Sequence, residues 1–141
     1  MDDELKQLLA FLFQRADATQ TFWNFYAGAV TAALGLVTAG KSEWLNRWVC
    51  AGLTVAFVVF AVGNFIALDA MRAQRQELME VAKEVKGYSR IERVVTAVRP
   101  PTKEQLRLFH GALDLGTVGA IWGVPIARRR YELTTRSRGR A

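Results

Sequence analysis

Residues 48–68, WVCAGLTVAFVVFAVGNFIAL, decide the fold of this chain because they run for 21 residues without a charged side chain. A hydrocarbon core of roughly 30 Å is crossed by about 20 helical residues. Two more blocks have this length. Residues 18–40 carry no charge over 23 residues, and residues 108–127 carry one acid, Asp114, and no Lys or Arg over 20. We therefore expect an all-α membrane protein with three transmembrane helices.

The segments around these blocks also read as helices. Four leucines at i, i+3, i+4 and i+7 predict an interfacial amphipathic helix over 1–17, after which the chain turns into the membrane: Leu5, Leu8, Leu9 and Leu12. Residues 18–68 are predicted to form a transmembrane helical hairpin with its turn around Gly40. Phe22, Trp23, Phe25 and Tyr26 at one end, and Trp44 and Trp48 at the other, are typical of aromatic belts at the membrane surface.

Residues 69–107 are predicted to form a cytoplasmic helical connection. The second helix continues through Lys86 and stops at Gly87, and Ser89 with Glu92 has the spacing of a capping box for the next helix. The Pro100-Pro101 pair ends that short helix.

Thr102 and Gln105 repeat the capping spacing at the start of a helix that enters block 108–127 and is expected to end at Pro125. Residues 128–141 form a basic tail. Block 108–127 is expected to span the membrane, with a re-entrant path as the alternative.

Charge placement bears on topology. With three spans and a cytoplasmic N-terminus, 11 basic residues lie inside and eight outside, whereas a re-entrant third block gives 17 and two. The positive-inside rule thus favours re-entry. However, re-entrant backbone is tolerated only where protein or water covers it, and this block is a continuous helix former. We expect a multi-pass protein of the inner (plasma) membrane with its N-terminus in the cytoplasm.

Four polar residues inside the blocks are the first candidates for a functional site: Asn24, Asn64, His110 and Asp114. An intramembrane Asp is costly to insert and usually faces protein or water, and His110 lies one helical turn from it. The functional hypothesis is an intramembrane polar cluster along a path between helices. The alternative is that these side chains hydrogen-bond only to hold the helices together.

Small residues recur along all three blocks and predict close helix packing. The glycines concerned are Gly28, Gly35, Gly52, Gly63, Gly116, Gly119 and Gly123. Some of this surface is expected to pack within the chain and the rest against other copies, which predicts a homo-oligomer.

The basic residues between the second and third blocks suggest contact with anionic lipids or another anionic ligand, through Arg90, Arg93, Arg99 and Lys103. A solvated cytoplasmic face is the alternative. No nucleic-acid-binding pattern organises these bases, so nucleic acid is not an expected partner.

Signals for catalysis are few. Gly35 to Ser42 matches the phosphate-binding pattern G-x-x-x-x-G-K-[ST], with Lys41 in the phosphate-binding position, but a P-loop needs a preceding buried strand and this segment follows an Ala-rich block. One His and one Cys, Cys50, leave few candidates for a metal site or a catalytic triad. We expect no enzyme, no metal and no cofactor.

The expected function is therefore a non-enzymatic homo-oligomer that forms a pore, channel or membrane-disrupting assembly, with the cytoplasmic region sensing or docking a partner. The alternative is a membrane anchor or scaffold subunit that binds another protein through residues 69–107. A P-loop nucleotide-binding protein is the third hypothesis.

Overall fold

The computed structural model describes residues 3–40, 45–85 and 87–138, and these contain four α-helices and no strand. Helix α1 covers Asp3–Ala39, α2 Arg47–Glu84, α3 Tyr88–Ala97 and α4 Lys103–Arg138. The all-α prediction is confirmed for this part of the chain. Residues Lys41, Ser42, Trp44 and Lys86, which entered the predictions above, lie outside the described residues.

Helix α1 contradicts the expected turn between an interfacial helix and a first span. It continues without interruption through residue 17 to Ala39. The physical reason is that no Gly or Pro occurs between residues 3 and 27, so nothing breaks the hydrogen-bond ladder. The hydroxyls of Thr19 and Thr21 also donate to carbonyls one turn back, which leaves the helix intact.

Helix α4 contradicts the expected end at Pro125. The proline lies inside the helix, which continues to Arg138 and so includes most of the predicted basic tail. A proline inside a helix removes one backbone hydrogen bond and costs about 3 kcal/mol. Three and four residues after it, Arg128 and Arg129 donate to backbone carbonyls of the α1–α2 connection. These bonds fix the turn beyond Pro125 and offset part of that cost.

Helices α1 and α2 contain segments, Leu5–Ala39 and Arg47–Glu84, that are long and apolar enough to cross a membrane. Their most apolar stretches are 17% and 22% buried inside the chain. Helix α4 does not reach the same hydropathy, because its apolar block also holds His110, Asp114 and several glycines.

The chain divides into two compact units, and α1, α2 and α4 each contribute to both. The first unit holds the described residues of Met1–Phe25 and Gly63–Leu108. Its core joins the start of α1 to α3 through Leu5, Leu12, Ile91 and Val95, with side chains from the last turns of α2 packed against them. The leucines predicted to face a membrane surface thus face protein instead.

Three helix ends in the first unit were predicted from their turn and capping residues, and two of these predictions are confirmed. Gly87 stops the chain after α2 with φ of 93°, a left-handed conformation that favours glycine. The capping box at Thr102 and Gln105 is confirmed, with reciprocal bonds of 3.0 and 3.2 Å. The capping box at Ser89 is wrong, because α3 already starts at Tyr88, directly after the left-handed Gly87.

The second unit holds Tyr26–Val62 and the described residues of Phe109–Ala141. Side-chain bonds tie Tyr26 to Asp114 and Gly40 to Arg128. Both members of the second pair lie 14 residues after those of the first, so α1 and α4 run parallel and in register over about 21 Å at 1.5 Å per residue. The α1–α2 connection reverses the chain, and α2 returns antiparallel to both. Its Thr54 accepts a hydrogen bond from Trp122 of α4.

Candidate functional site: a Tyr–Asp–His cluster

Asp114 is the centre of a polar cluster in the second unit. Tyr26 Oη donates a 2.7 Å hydrogen bond to Asp114 Oδ1. On its own helix, His110 Nδ1 lies 2.9 Å from Asp114 Oδ2, so each carboxyl oxygen has one partner. The i, i+4 spacing of His110 and Asp114 puts them on one helix face. The partner from α1, Tyr26, closes the cluster across two helices.

The two partners of Asp114 are enclosed by protein. Tyr26 is 1% exposed and His110 is 2% exposed, and their rings are tilted by 43° with centroids 4.3 Å apart. Phe57 of α2 flanks Tyr26 with a centroid distance of 6.4 Å. The cluster is therefore built from α1 and α4 and walled by an aromatic side chain of α2.

Asp114 differs from its partners because its side chain is 32% exposed. Its carboxylate accepts a hydrogen bond from the Tyr26 hydroxyl. The same carboxylate orients the His110 ring, since a hydrogen bond at Nδ1 fixes the tautomer of the ring. This arrangement ties α1 to α4 through Asp114 and leaves part of the Asp114 side chain open to a further polar partner.

The other two members of the predicted polar cluster, Asn24 and Asn64, belong to the first unit. Asn24 is exposed and accepts a 3.1 Å hydrogen bond from Gln20 one turn back. Asn64 is buried, at 6% exposure. Of the four residues predicted to share a cluster, the structure brings His110 and Asp114 together within one unit.

Sequence reasoning missed Tyr26, which was assigned to an aromatic belt at the membrane surface. A signal was available, because a hydroxyl inside an apolar block needs a polar partner and Asp114 is the one acid inside the three blocks. Tyr26 also lies seven and eleven residues before Ala33 and Val37, and all three are buried on one face of α1.

The seven predicted helix-packing glycines do not pack within the chain, which contradicts that part of the prediction. A Cβ added at any of them would meet no atom within 4 Å. Larger side chains fill the space between the helices instead, among them Val37, Phe57 and Ile121. Gly116, Gly119 and Gly123 lie six, nine and 13 residues after His110, which is the side of α4 opposite its packed face.

Backbone carbonyls at the end of α1 are capped by side chains of α4. Arg128 Nη1 donates to Gly40 O at 2.8 Å, and its Nη2 donates to Thr38 O. Arg129 Nη2 donates to Leu45 O at 3.1 Å. The last carbonyls of a helix have no partner inside the helix, so a guanidinium there satisfies them and complements the helix dipole.

The predicted contacts for anionic ligands are dispersed over the first unit. Arg93 and Arg99 are exposed, and the side chain of Arg90 lies outside the part of the chain that is described. Lys103 forms a 3.5 Å ion pair with Asp69. The hydrogen bond from Arg72 to Asp69, at 2.9 Å, holds the pKa of that carboxyl below its usual value, and the charges of Arg72 and Lys103 add to the effect despite the opposing desolvation.

The phosphate-binding pattern lacks its structural context. Residues 35–39 are the last turns of α1, and a helix rather than a strand precedes them. The pattern's Lys41 and Ser42 lie outside the described residues. Among the residues that are described, no group of three His, Cys, Asp or Glu side chains is placed to hold a metal ion.

The chain matches no protein-family model, no curated protein and no solved structure. Function therefore has to be inferred from the site itself.

Proposed function

We propose that this chain is a small, non-enzymatic protein of the inner membrane that crosses the bilayer three times, with its N-terminus in the cytoplasm. In this proposal copies of the chain associate into a homo-oligomer that forms a pore, channel or membrane-disrupting assembly. The first unit supplies a cytoplasmic surface for sensing or docking.

The partly exposed side chain of Asp114 is the observation that carries this proposal. A carboxylate near the middle of a membrane helix costs about 2.5 to 3.5 kcal/mol and therefore faces protein or water rather than lipid. Two partners within the chain still leave 32% of the Asp114 side chain exposed. Neighbouring Leu115, by contrast, is 77% exposed and suits lipid. A second subunit or a water-filled path beside Asp114 would give the carboxylate a polar neighbour.

The apolar surface of the second unit supports lipid as its solvent. On α2, Val55 and Val59 are 64% and 69% exposed, and Leu36 and Ile126 are more than half exposed on the other two helices. Exposed apolar surface on this scale is costly in water.

The register between α1 and α4 supports a third crossing rather than a re-entrant loop. Helix α4 follows α1 from the Tyr26–Asp114 contact to the end of α1, where Arg128 caps the carbonyls. A re-entrant segment would have to reverse before it reached the hairpin end.

The open glycine faces support association between copies. All three blocks carry small residues opposite their packed faces, and none of these glycines is used inside the chain. Small-residue faces let helices from different subunits approach closely without a side chain between them.

Ion flux and subunit association test the proposal together. Liposomes containing the purified protein are expected to conduct ions, and crosslinking in the membrane should give a defined oligomer. Gly119→Leu should weaken both, because the added side chain holds the helices apart, whereas Leu115→Ile adds no bulk at a position that is also exposed and serves as the matched control. Flux equal to that of empty liposomes, with Asp114→Ala indistinguishable from wild type in cells, contradicts the proposal.

The alternative function, a membrane anchor or scaffold subunit, is favoured by one observation. Residues 69–107 are not an extended linker, because α3 packs with the start of α1 into a core. Such a preformed surface suits a partner protein. In that case crosslinking through this region should recover one consistent foreign protein, and the isolated chain should conduct nothing.

A further inference from the structure

Arg75 of α2 is a buried cation with no acidic partner. It is 7% exposed, and its Nη2 donates to the backbone carbonyl of Val98. Over residues 3–40, 45–85 and 87–138, no carboxylate lies within ion-pair distance of its guanidinium. A guanidinium carries five N–H donors, and no buried side-chain nitrogen in the described residues lacks a partner, so the Arg75 donors that Val98 does not use reach the surface. Burial lowers the pKa of Arg75, since desolvation disfavours the charged form.

Further positive charge lies along the same stretch of α2. Arg15 of α1 reaches Met71 Sδ at 3.9 Å, one turn before Arg75, and a thioether neutralises no charge. On the other side, Arg99 follows the Val98 carbonyl that contacts Arg75, and it is exposed. These contacts place Arg15, and the backbone next to Arg99, beside the turn of α2 that runs from Met71 to Arg75.

Asp69, the carboxylate that forms ion pairs in this region, already has two cationic partners. Asp69 accepts from Arg72 at 2.9 Å and pairs with Lys103 at 3.5 Å. Two cations therefore share one acid, and Arg75, Arg15 and Arg99 have no acidic partner among the described residues. Positive charge that is buried at Arg75 and half-buried at Arg15 without an acid favours a bound anion.

We propose that Arg75, Arg15 and Arg99 bind one phosphate group, supplied either by a phospholipid head group or by inorganic phosphate. The planar fork of a guanidinium matches phosphate oxygens in pairs of hydrogen bonds, which is why arginine is preferred at such sites. Arg75 lies seven residues, or about 10 Å of helix, beyond the apolar block that ends at Leu68, which is the depth of a head-group region. The head-group source rests on the proposed membrane location, but the phosphate chemistry does not.

Binding by the full chain in an uncharged detergent tests this site. The probes are short-chain phosphatidic acid, the matching phosphatidylcholine and, in a separate arm, inorganic phosphate. Wild type should bind phosphatidic acid at least about tenfold more tightly than phosphatidylcholine and melt at a higher temperature in its presence. Arg75→Gln should weaken this binding about tenfold, as expected for the loss of a charge-assisted, bidentate contact. Arg93→Gln removes an exposed arginine of α3 and should bind as wild type does.

The measurements with lipid and with inorganic phosphate distinguish the two sources of the phosphate group. Protection by inorganic phosphate at equal strength identifies free phosphate as the ligand, and protection by the lipid alone identifies the head group. If Arg75→Gln fails to fold, the exposed Arg99→Gln should still weaken binding several-fold. Absence of binding to every phosphate-bearing probe, or wild-type binding by both variants, overturns the site. Neither result bears on ion flux, so the proposed function fails or stands separately.

Discussion

The hydrogen bond between Tyr26 and Asp114 can be removed with little other change. Tyr26→Phe deletes the hydroxyl that donates to Asp114 Oδ1 at 2.7 Å and keeps the ring against His110 and Phe57. Because Tyr26 is 1% exposed, water cannot enter the space that its hydroxyl leaves, although it can still reach Asp114 from the exposed side.

Two reference ranges for hydrogen-bond energies set the expected loss in the free energy of unfolding. A hydrogen bond to a charged group contributes about 1.5 to 3 kcal/mol in soluble proteins. Between membrane helices the average is about 0.6 kcal/mol with a maximum near 1.7, because the unfolded chain in lipid finds other partners. The acceptor here is a carboxylate that keeps a second partner in His110, so we expect the upper part of the membrane range, about 1 to 1.5 kcal/mol.

A double-mutant cycle measures this quantity. The free energy of unfolding in mixed micelles is determined for wild type, Tyr26→Phe, Asp114→Ala and the double variant. Tyr131→Phe is the control, because Tyr131 is 74% exposed on α4 and its loss of a hydroxyl should change nothing. Independent sites add within about 0.3 to 0.5 kcal/mol, so a coupling energy below that range refutes the Tyr26–Asp114 contact as a link between α1 and α4.

Three further predictions concern other parts of the chain. Because the pKa of Asp69 is lowered, its ion pairs stabilise the fold fully above the ordinary pKa of 3.8, and this contribution is lost as the pH falls further. The free energy of unfolding, measured from pH 7 to 3, should therefore fall more steeply for wild type than for Asp69→Asn. Arg128→Ala should destabilise the end of α1 by about 1 kcal/mol or more, measured as a lower melting temperature, while Arg130→Ala at an exposed position should not. Gly87→Ala should cost about 1 kcal/mol because φ is 93° there, whereas Gly111→Ala in open helix should be neutral or stabilising; chemical unfolding of both variants would contradict this if the order were reversed.

Much of the fold was predictable because local rules decide it. The stop at Gly87, the capping box at Thr102 and the end of α3 before Pro100 all follow from residue types acting within a few positions. The same kind of rule predicted a His110–Asp114 contact from i, i+4 spacing, and the two atoms lie 2.9 Å apart.

Errors arose where a tertiary contact decides the outcome. Pro125 was expected to end α4, but bonds from Arg128 and Arg129 to distant carbonyls hold the helix beyond it. The N-terminal leucines were assigned to a membrane surface, but Leu5 and Leu12 pack against α3. Amphipathic spacing predicts which face of a helix is buried, but it does not tell whether protein or membrane covers that face.

The candidate site was half predictable for the same reason. Asp114 and His110 are distinctive because few polar residues occur in the apolar blocks, whereas Tyr26 needs the register of α1 against α4, which single-sequence periodicity does not contain. The side of each helix that carries its glycines was readable from spacing. The spacing did not show that these glycine faces are left open inside the chain.

Side-specific labelling of single cysteines tests the three-span account most directly. In a Cys50→Ala background, Ser89→Cys on α3 and Thr135→Cys near the end of α4 place one exposed thiol on each side of the proposed third crossing. An impermeant maleimide should label Ser89→Cys in inside-out vesicles and Thr135→Cys in right-side-out vesicles. Labelling of both positions from the same side, or recovery of the protein in the soluble fraction without detergent, contradicts the account.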